Sequence, residues 1–157
     1  MNKFDTFLLR AREHLRKHPD EEHGLVVARD FSTTPIVNEA PEAERHRLII
    51  QDMESFQTMV HLYMHENLYG WVHSHPVGPP VPSLMDIDKH KVCCTMGIYS
   101  IPLDQFAFYP SRSVTRMKNA LQRDQVAPSD CSVFIRGLSC GIRRFSFDKG
   151  SGTFTQA

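Results

Sequence analysis

Residues 68–86 read Leu68-Tyr69-Gly70-Trp71-Val72-His73-Ser74-His75-Pro76-Val77-Gly78-Pro79-Pro80-Val81-Pro82-Ser83-Leu84-Met85-Asp86. The first five are apolar or aromatic and have the pattern of a buried strand. Alternate side chains of a strand share a face, so His73 and His75 project together from its end. Pro76, Gly78, Pro79, Pro80 and Pro82 exclude a helix and an interior strand, which makes the next seven residues a turn. Ser83 then stands where a helix should begin, with Asp86 one turn in. Strand end, loop and helix start converge on one point. Two imidazoles and a carboxylate are good zinc ligands, and three protein ligands leave the fourth tetrahedral position open, as in a catalytic rather than a structural site.

Each part has a plainer reading. Ser83-Leu84-Met85-Asp86 fits a helix capping box, with Ser at the N-cap and an acid three residues later. His-x-His is weak alone in a chain with nine histidines. The order and spacing of the whole favour the metal, and the cap is compatible with it.

With these residues the chain resembles the JAMM metalloproteases, the catalytic members of the MPN domain family. Their pattern is a Glu on an upstream strand, then His-x-His-Pro, seven residues to a Ser, and an Asp three further on. Pro76 to Pro82 supply the seven. The upstream Glu lies three residues before a Gly that begins an apolar strand. In Asp20-Glu21-Glu22-His23-Gly24-Leu25-Val26-Val27 that residue is Glu21, and Glu22 is its rival, because neighbours in an extended segment face opposite ways. The resemblance covers residues 4 to 110. It implies one Zn2+ held by His73, His75 and Asp86, Glu21 as general base, and Ser83 as donor to an oxyanion. It implies a single MPN-like α/β domain, a mixed β-sheet with flanking helices in a cytidine-deaminase-like sandwich. It also implies peptide or isopeptide hydrolysis, with a ubiquitin-like protein or its conjugate as partner. Val81-Pro82-Ser83, Ile98-Tyr99-Ser100-Ile101-Pro102 and Phe108-Tyr109-Pro110 resemble the JAMM half of phage tail-assembly peptidases, an alternative context. A non-catalytic MPN scaffold is the alternative of another class, disfavoured because every ligand is present.

Composition sets the bounds. The 157 residues suit one domain, with residues 111–157 as its extension, and 41% hydrophobic and 23% charged residues are ordinary for a globular protein. Net charge is zero, which gives no reason to expect nucleic acid. The charge is uneven: residues 91–157 carry nine Lys/Arg and four Asp/Glu, residues 1–90 nine and fourteen. This reads as a dispersed surface bias. No apolar run reaches the ~18 residues of a membrane span, and no signal-type core follows the N-terminus. A cytoplasmic location is expected, which suits four reduced cysteines, Cys93, Cys94, Cys131 and Cys140. None forms Cys-x-x-Cys. Cys93 and Cys94 fall on the expected post-motif helix, where packing is their role and a His90–Cys94 metal pair a minor alternative. Some deubiquitinating members of the family it resembles hold an extra structural zinc with downstream His and Cys; no histidine follows His90 here, so the resemblance implies one zinc only. The oligomeric state is open.

Outside the motif, Phe4, Phe7, Leu8, Ala11 and Leu15 predict an amphipathic helix over 3–18, closed by Pro19. Strands are expected at Gly24–Arg29, near Ile36 and at Leu48–Gln51, with an exposed loop over 38–46. Met53, Phe56, Val60, Tyr63 and Met64 predict a helix whose His61 and His65 are surface residues. A hairpin is expected from Gly97–Ile101 and Gln105–Tyr109, then a helix over Val114–Arg123 broken at Pro128. Late strands are expected at Val133–Ile135 and Ile142–Phe147, before a frayed end.

Overall fold

In a computed structural model, residues 2–50, 56, 66–90, 94–122, 129–135, 138–148 and 153–156 are described. The motif stretch forms strand β3 (Leu68–His75), a loop, and helix α2 (Leu84–Lys89). Strand β4 (Thr95–Ser100) follows and lies parallel to β3. A parallel neighbour cannot be reached by a tight turn, so the chain must cross over the sheet. The loop and α2 are that crossover. Around this pair the sheet is antiparallel. Upstream are β1 (Gly24–Ala28) and the edge strand β2 (Thr33–Ile36). Downstream are β5 (Gln105–Tyr109), β6 (Ser129–Ile135), β7 (Leu138–Asp148) and β8 (Thr153–Gln156). The spatial order is β2-β1-β3-β4-β5-β6-β7-β8. This is the mixed α/β sheet with flanking helices that the resemblance implies.

Helix α1 (Lys3–Leu15) is capped by Asn2, whose side chain accepts from the Asp5 N–H at 2.8 Å. It buries Phe7, Leu8, Ala11 and Leu15 against one face of the sheet, on Leu25, Val27, Val72, Tyr99, Phe106 and Phe108. Fixed rings reinforce the seam: Phe4 meets Phe31 and Phe134 edge-on, each at 5.1 Å between centroids. Such pairs are worth about 0.5–1.5 kcal/mol beyond their buried area. Arg12 holds Asp104 through two bonds of 2.7 and 3.0 Å, which ties α1 to the β4–β5 turn. The other face carries α2 and α3 (Ser111–Gln122), with Ile87, Met96, Ile98, Tyr109, Val114 and Met117 buried between them and the sheet. No described helix is long and apolar enough to cross a membrane.

Several boundaries differ from expectation. Helix α1 stops at Leu15, one turn short of Pro19. Residues 48–50 are not a strand. The Ile49 N–H donates to the Asn38 side chain and the Ile49 carbonyl accepts from the Glu39 N–H, so a corner rather than a ladder uses their backbone. Helix α2 ends at Lys89, His90 is its C-cap, and Cys94 lies in the bend before β4, not on the helix. Helix α3 starts at Ser111, earlier than expected, and β6 and β7 are longer. The expected frayed end holds an edge strand, because Thr153–Gln156 pairs with β7. The helix expected over Met53–Met64, with His61 and His65, lies outside the described residues except at Phe56. Cys93 and Pro128 also lie outside them.

Gly70 shows how closely β3 and β4 approach. A Cβ there would stand 2.1 Å from the Thr95 carbonyl oxygen, against backbone that cannot swing away. Gly70→Ala is expected to destabilise the protein by about 3 kcal/mol. Gly78, with φ of +86° and nothing within 4 Å of a Cβ, should lose only ~1–2 kcal/mol on the same change. Urea denaturation of the two variants checks the difference.

Candidate metal centre

Strand alternation sets the first two donors. Burial along β3 alternates, with Val72 and Ser74 turned to the α1 face and His73 and His75 to the α2 face. Helix α2 brings the third. Ser83 is its N-cap: the Ser83 Oγ accepts from the Asp86 N–H at 3.1 Å, and the Ser83 N–H donates to Asp86 Oδ2 at 2.9 Å. The capping box therefore forms, and it aims Asp86 at the histidines. Asp86 Oδ1 lies 3.3 Å from His73 Nε2, and Oδ2 lies 3.1 Å from His75 Nε2. One donor atom from each of His73, His75 and Asp86 falls within 4.8 Å of the others.

The buried carboxylate and the two imidazoles offset one another's charge. Burial opposes ionisation of Asp86, but His73 and His75 outweigh it and hold the carboxyl far below its ordinary range. Burial likewise opposes charge on His73, and Asp86 outweighs it, raising His73 to about 9. Among the described residues, His73 Nε2 is nonetheless buried with no hydrogen-bond partner, its approach to Asp86 being an ion pair only. An orphaned imidazole nitrogen beside a desolvated carboxylate is a donor set that fits a metal ion. His75 is already oriented for one: its Nδ1 lies 3.0 Å from the Pro79 carbonyl, which can only accept, so Nδ1 carries a proton and Nε2, beside Asp86, is the nitrogen aimed at the shared point.

The loop that carries Pro79 is pinned from beneath. The buried Ser100 hydroxyl donates to the Gly78 carbonyl at 2.6 Å, and the buried Tyr109 hydroxyl donates to the Pro80 carbonyl at 2.9 Å. The Ile101 N–H donates to the His75 carbonyl at 3.1 Å. Sequence reasoning missed Ser100 and Tyr109. Both lie on strands distant in sequence from the loop, and only the β3–β4–β5 pairing brings them beneath it.

The two upstream acids part company. Gly24 pairs directly with His73, so they share a face, and alternation carried back two residues puts Glu22 on the same side. Glu22 lines the cavity at the metal centre, and burial raises its carboxyl pKa, an effect that His73 and His75 partly offset. Glu21 is turned to the other side. Its carboxylate lies 3.6 Å from His18 Nδ1 and His23 Nε2, and 3.7 Å from Arg45. Three residues before Gly24 is an odd step, which in an extended chain changes face. Ser74 clamps this segment to β3, its Oγ accepting the His23 N–H at 2.9 Å and its N–H donating to the His23 carbonyl at 2.9 Å. Ser83 lines the cavity too, and because its oxygen serves the cap as an acceptor, its O–H is left to donate. His90 and Cys94 make a local contact: His90 Nε2 bonds the Cys94 carbonyl at 2.9 Å, and burial lowers His90 to about 4.

The family model described as prokaryotic homologs of the JAB domain matches residues 5–123. The match takes in α1 through α3 and extends past the expected limit at residue 110. No curated protein matches the chain. Among solved structures, the solution structure of a protein from Salinibacter ruber is similar at 15% identity, over 98% of this chain and 84% of that one, with a TM-score of 0.34.

Two measurements check the centre. Asp86→Asn keeps an acceptor for the Ser83 N–H but is a poor ligand, so metal content by mass spectrometry should fall sharply while the fold is retained. Ser100→Ala frees the loop that orients His75, and metal affinity by chelator competition should drop about 10- to 100-fold.

Proposed function

The chain belongs to the prokaryotic homologs of the JAB domain, within the MPN domain family, and from that premise we propose that it is a zinc-dependent hydrolase of peptide or isopeptide bonds. The observation that carries this reading is the convergence of His73, His75 and Asp86 on one point at the wall of a cavity. Three protein donors of this kind suit zinc and leave a position open for chemistry. When bound there, zinc supplies Lewis acidity, which activates water near neutral pH and polarises the scissile carbonyl.

The protein's own groups do the rest. Glu22 takes the proton from the attacking water and returns it to the leaving amine. Its place on the cavity supports that assignment over Glu21, which the Glu-to-Gly spacing of the resemblance favours. The Ser83 hydroxyl donates to the oxyanion that develops on the scissile carbonyl. The Ser83 N–H holds the Asp86 carboxylate in place beside the two histidines. Pro79, through His75 Nδ1, keeps that imidazole in the ligating tautomer. The substrate expected from the resemblance is the C-terminal tail of a ubiquitin-like protein.

With zinc loaded, Glu22→Gln is expected to abolish hydrolysis of a quenched peptide library at unchanged zinc content, and Glu21→Gln to leave it nearly intact. The reverse result returns the base to Glu21. Ser83→Ala should lower turnover about 10²-fold with metal retained. Full zinc occupancy with no hydrolysis of any peptide or ubiquitin-like conjugate would replace the enzyme reading with that of a scaffold.

A further inference from the structure

The metal donors occupy only part of the cavity wall. The cavity measures about 730 Å³, within the ~300–1,000 Å³ usual for ligand pockets and far more than activated water and a carbonyl require. Ile36, Leu48, Ile49, Trp71, Met85 and Met96 give another part of the wall an apolar lining, beside the basic His46, Arg47 and Lys89. Four separate parts of the fold contribute them, with Met85 coming from α2. Ile36 ends β2, Leu48 and Ile49 lie on the corner held by Asn38, and Trp71 and Met96 are paired residues of β3 and β4. Trp71 adds one polar feature, an indole N–H that is buried without a hydrogen-bond partner among the described residues. An apolar lining with a few placed polar groups is the usual make-up of a pocket that holds an organic ligand.

Resting on the reading above, we propose that this cavity is a specificity pocket for a bulky apolar side chain, aliphatic or aromatic, on the residue that flanks the scissile amide. The argument is one of continuity. The same cavity is lined by His73, His75 and Asp86 and by the apolar wall, so a substrate whose amide reaches the metal places the adjoining residue against that wall. A glycine there leaves the wall wet. A leucine or phenylalanine removes its own apolar surface and the exposed parts of Leu48, Ile49, Trp71 and Met85 from water, worth roughly 10- to 100-fold in affinity. The preferred tail therefore carries a large apolar residue next to the bond cut, in place of a run of glycines.

The test uses the full-length zinc-loaded protein and three probes, the hydroxamates of N-acetylglycine, N-acetylleucine and N-acetylphenylalanine, with affinities measured by calorimetry. The metal-chelating group is common to all, and only the side chain differs. The leucine and phenylalanine probes are expected to bind about 10- to 100-fold more tightly than the glycine probe. Leu48→Trp, which fills the pocket, should shrink that difference below about 3-fold with zinc content retained. Met85→Trp, at an exposed position of α2, repeats the test if Leu48→Trp does not fold. Equal binding of all three probes overturns the specificity pocket and leaves the metal reading standing. No binding of any probe to a protein that also fails to retain zinc overturns the metal reading, and the pocket with it.

Discussion

One parallel pairing, β3 with β4, governs the site. A parallel neighbour demands a crossover, and here the crossover must fit within residues 76–94. That segment has to leave the end of β3, turn over the sheet and come back down. The proline-rich loop accomplishes the turn, and α2 the return. The donors stand where this path is most constrained, two on the last turn of the pleat and one in the first turn of the helix. A ligand at the carboxyl end of a parallel strand follows from such connectivity. The site is thus a by-product of how the sheet is connected, refined by the residues placed at its corner.

This explains how much could be read from residues alone. His73, His75, Ser83 and Asp86 lie within fourteen residues, and their convergence depends only on strand alternation, a loop of prolines and a capping box. Each of those rules is local. The same holds for α1, the β4–β5 hairpin and the buried β3. What could not be read depends on partners remote in sequence. Residues 48–50 look like a strand by composition, yet Asn38 claims their backbone. Ser100 and Tyr109 are ordinary strand residues until the sheet puts them beneath Gly78 and Pro80. Thr153–Gln156, among small and polar residues, gains its order from β7.

Glu21 and Glu22 show the limit most clearly. Both readings of that segment rest on sound rules. Spacing to Gly24, taken from the resemblance, selects Glu21; parity along an extended chain, anchored by the Gly24–His73 pair, selects Glu22. Sequence offers no means of choosing, because the choice turns on whether the chain stays extended before β1. The Ser74 clamp on both polar backbone groups of His23 keeps it so. His23 and Glu21 then fall to the α1 side, where His18 and Arg45 surround the Glu21 carboxylate, and Glu22 is left facing the metal side.

Asp86 shows why the cap and the ligand are not rival readings. A carboxylate this desolvated is costly unless each oxygen is engaged. Oδ2 meets the Ser83 N–H and His75, and Oδ1 faces His73. The cap alone would satisfy one oxygen and leave the other in want of a cation. The imidazoles alone would hold the charge without fixing its direction. Together they keep an anion oriented at a point on which both Nε2 atoms also converge. A helix N-terminus stabilises negative charge by its free N–H groups, so the first turn of α2 is the one place on that element where such an anion persists at low cost. The capping box, which by itself says only that a helix begins, is then the device that makes a third ligand available.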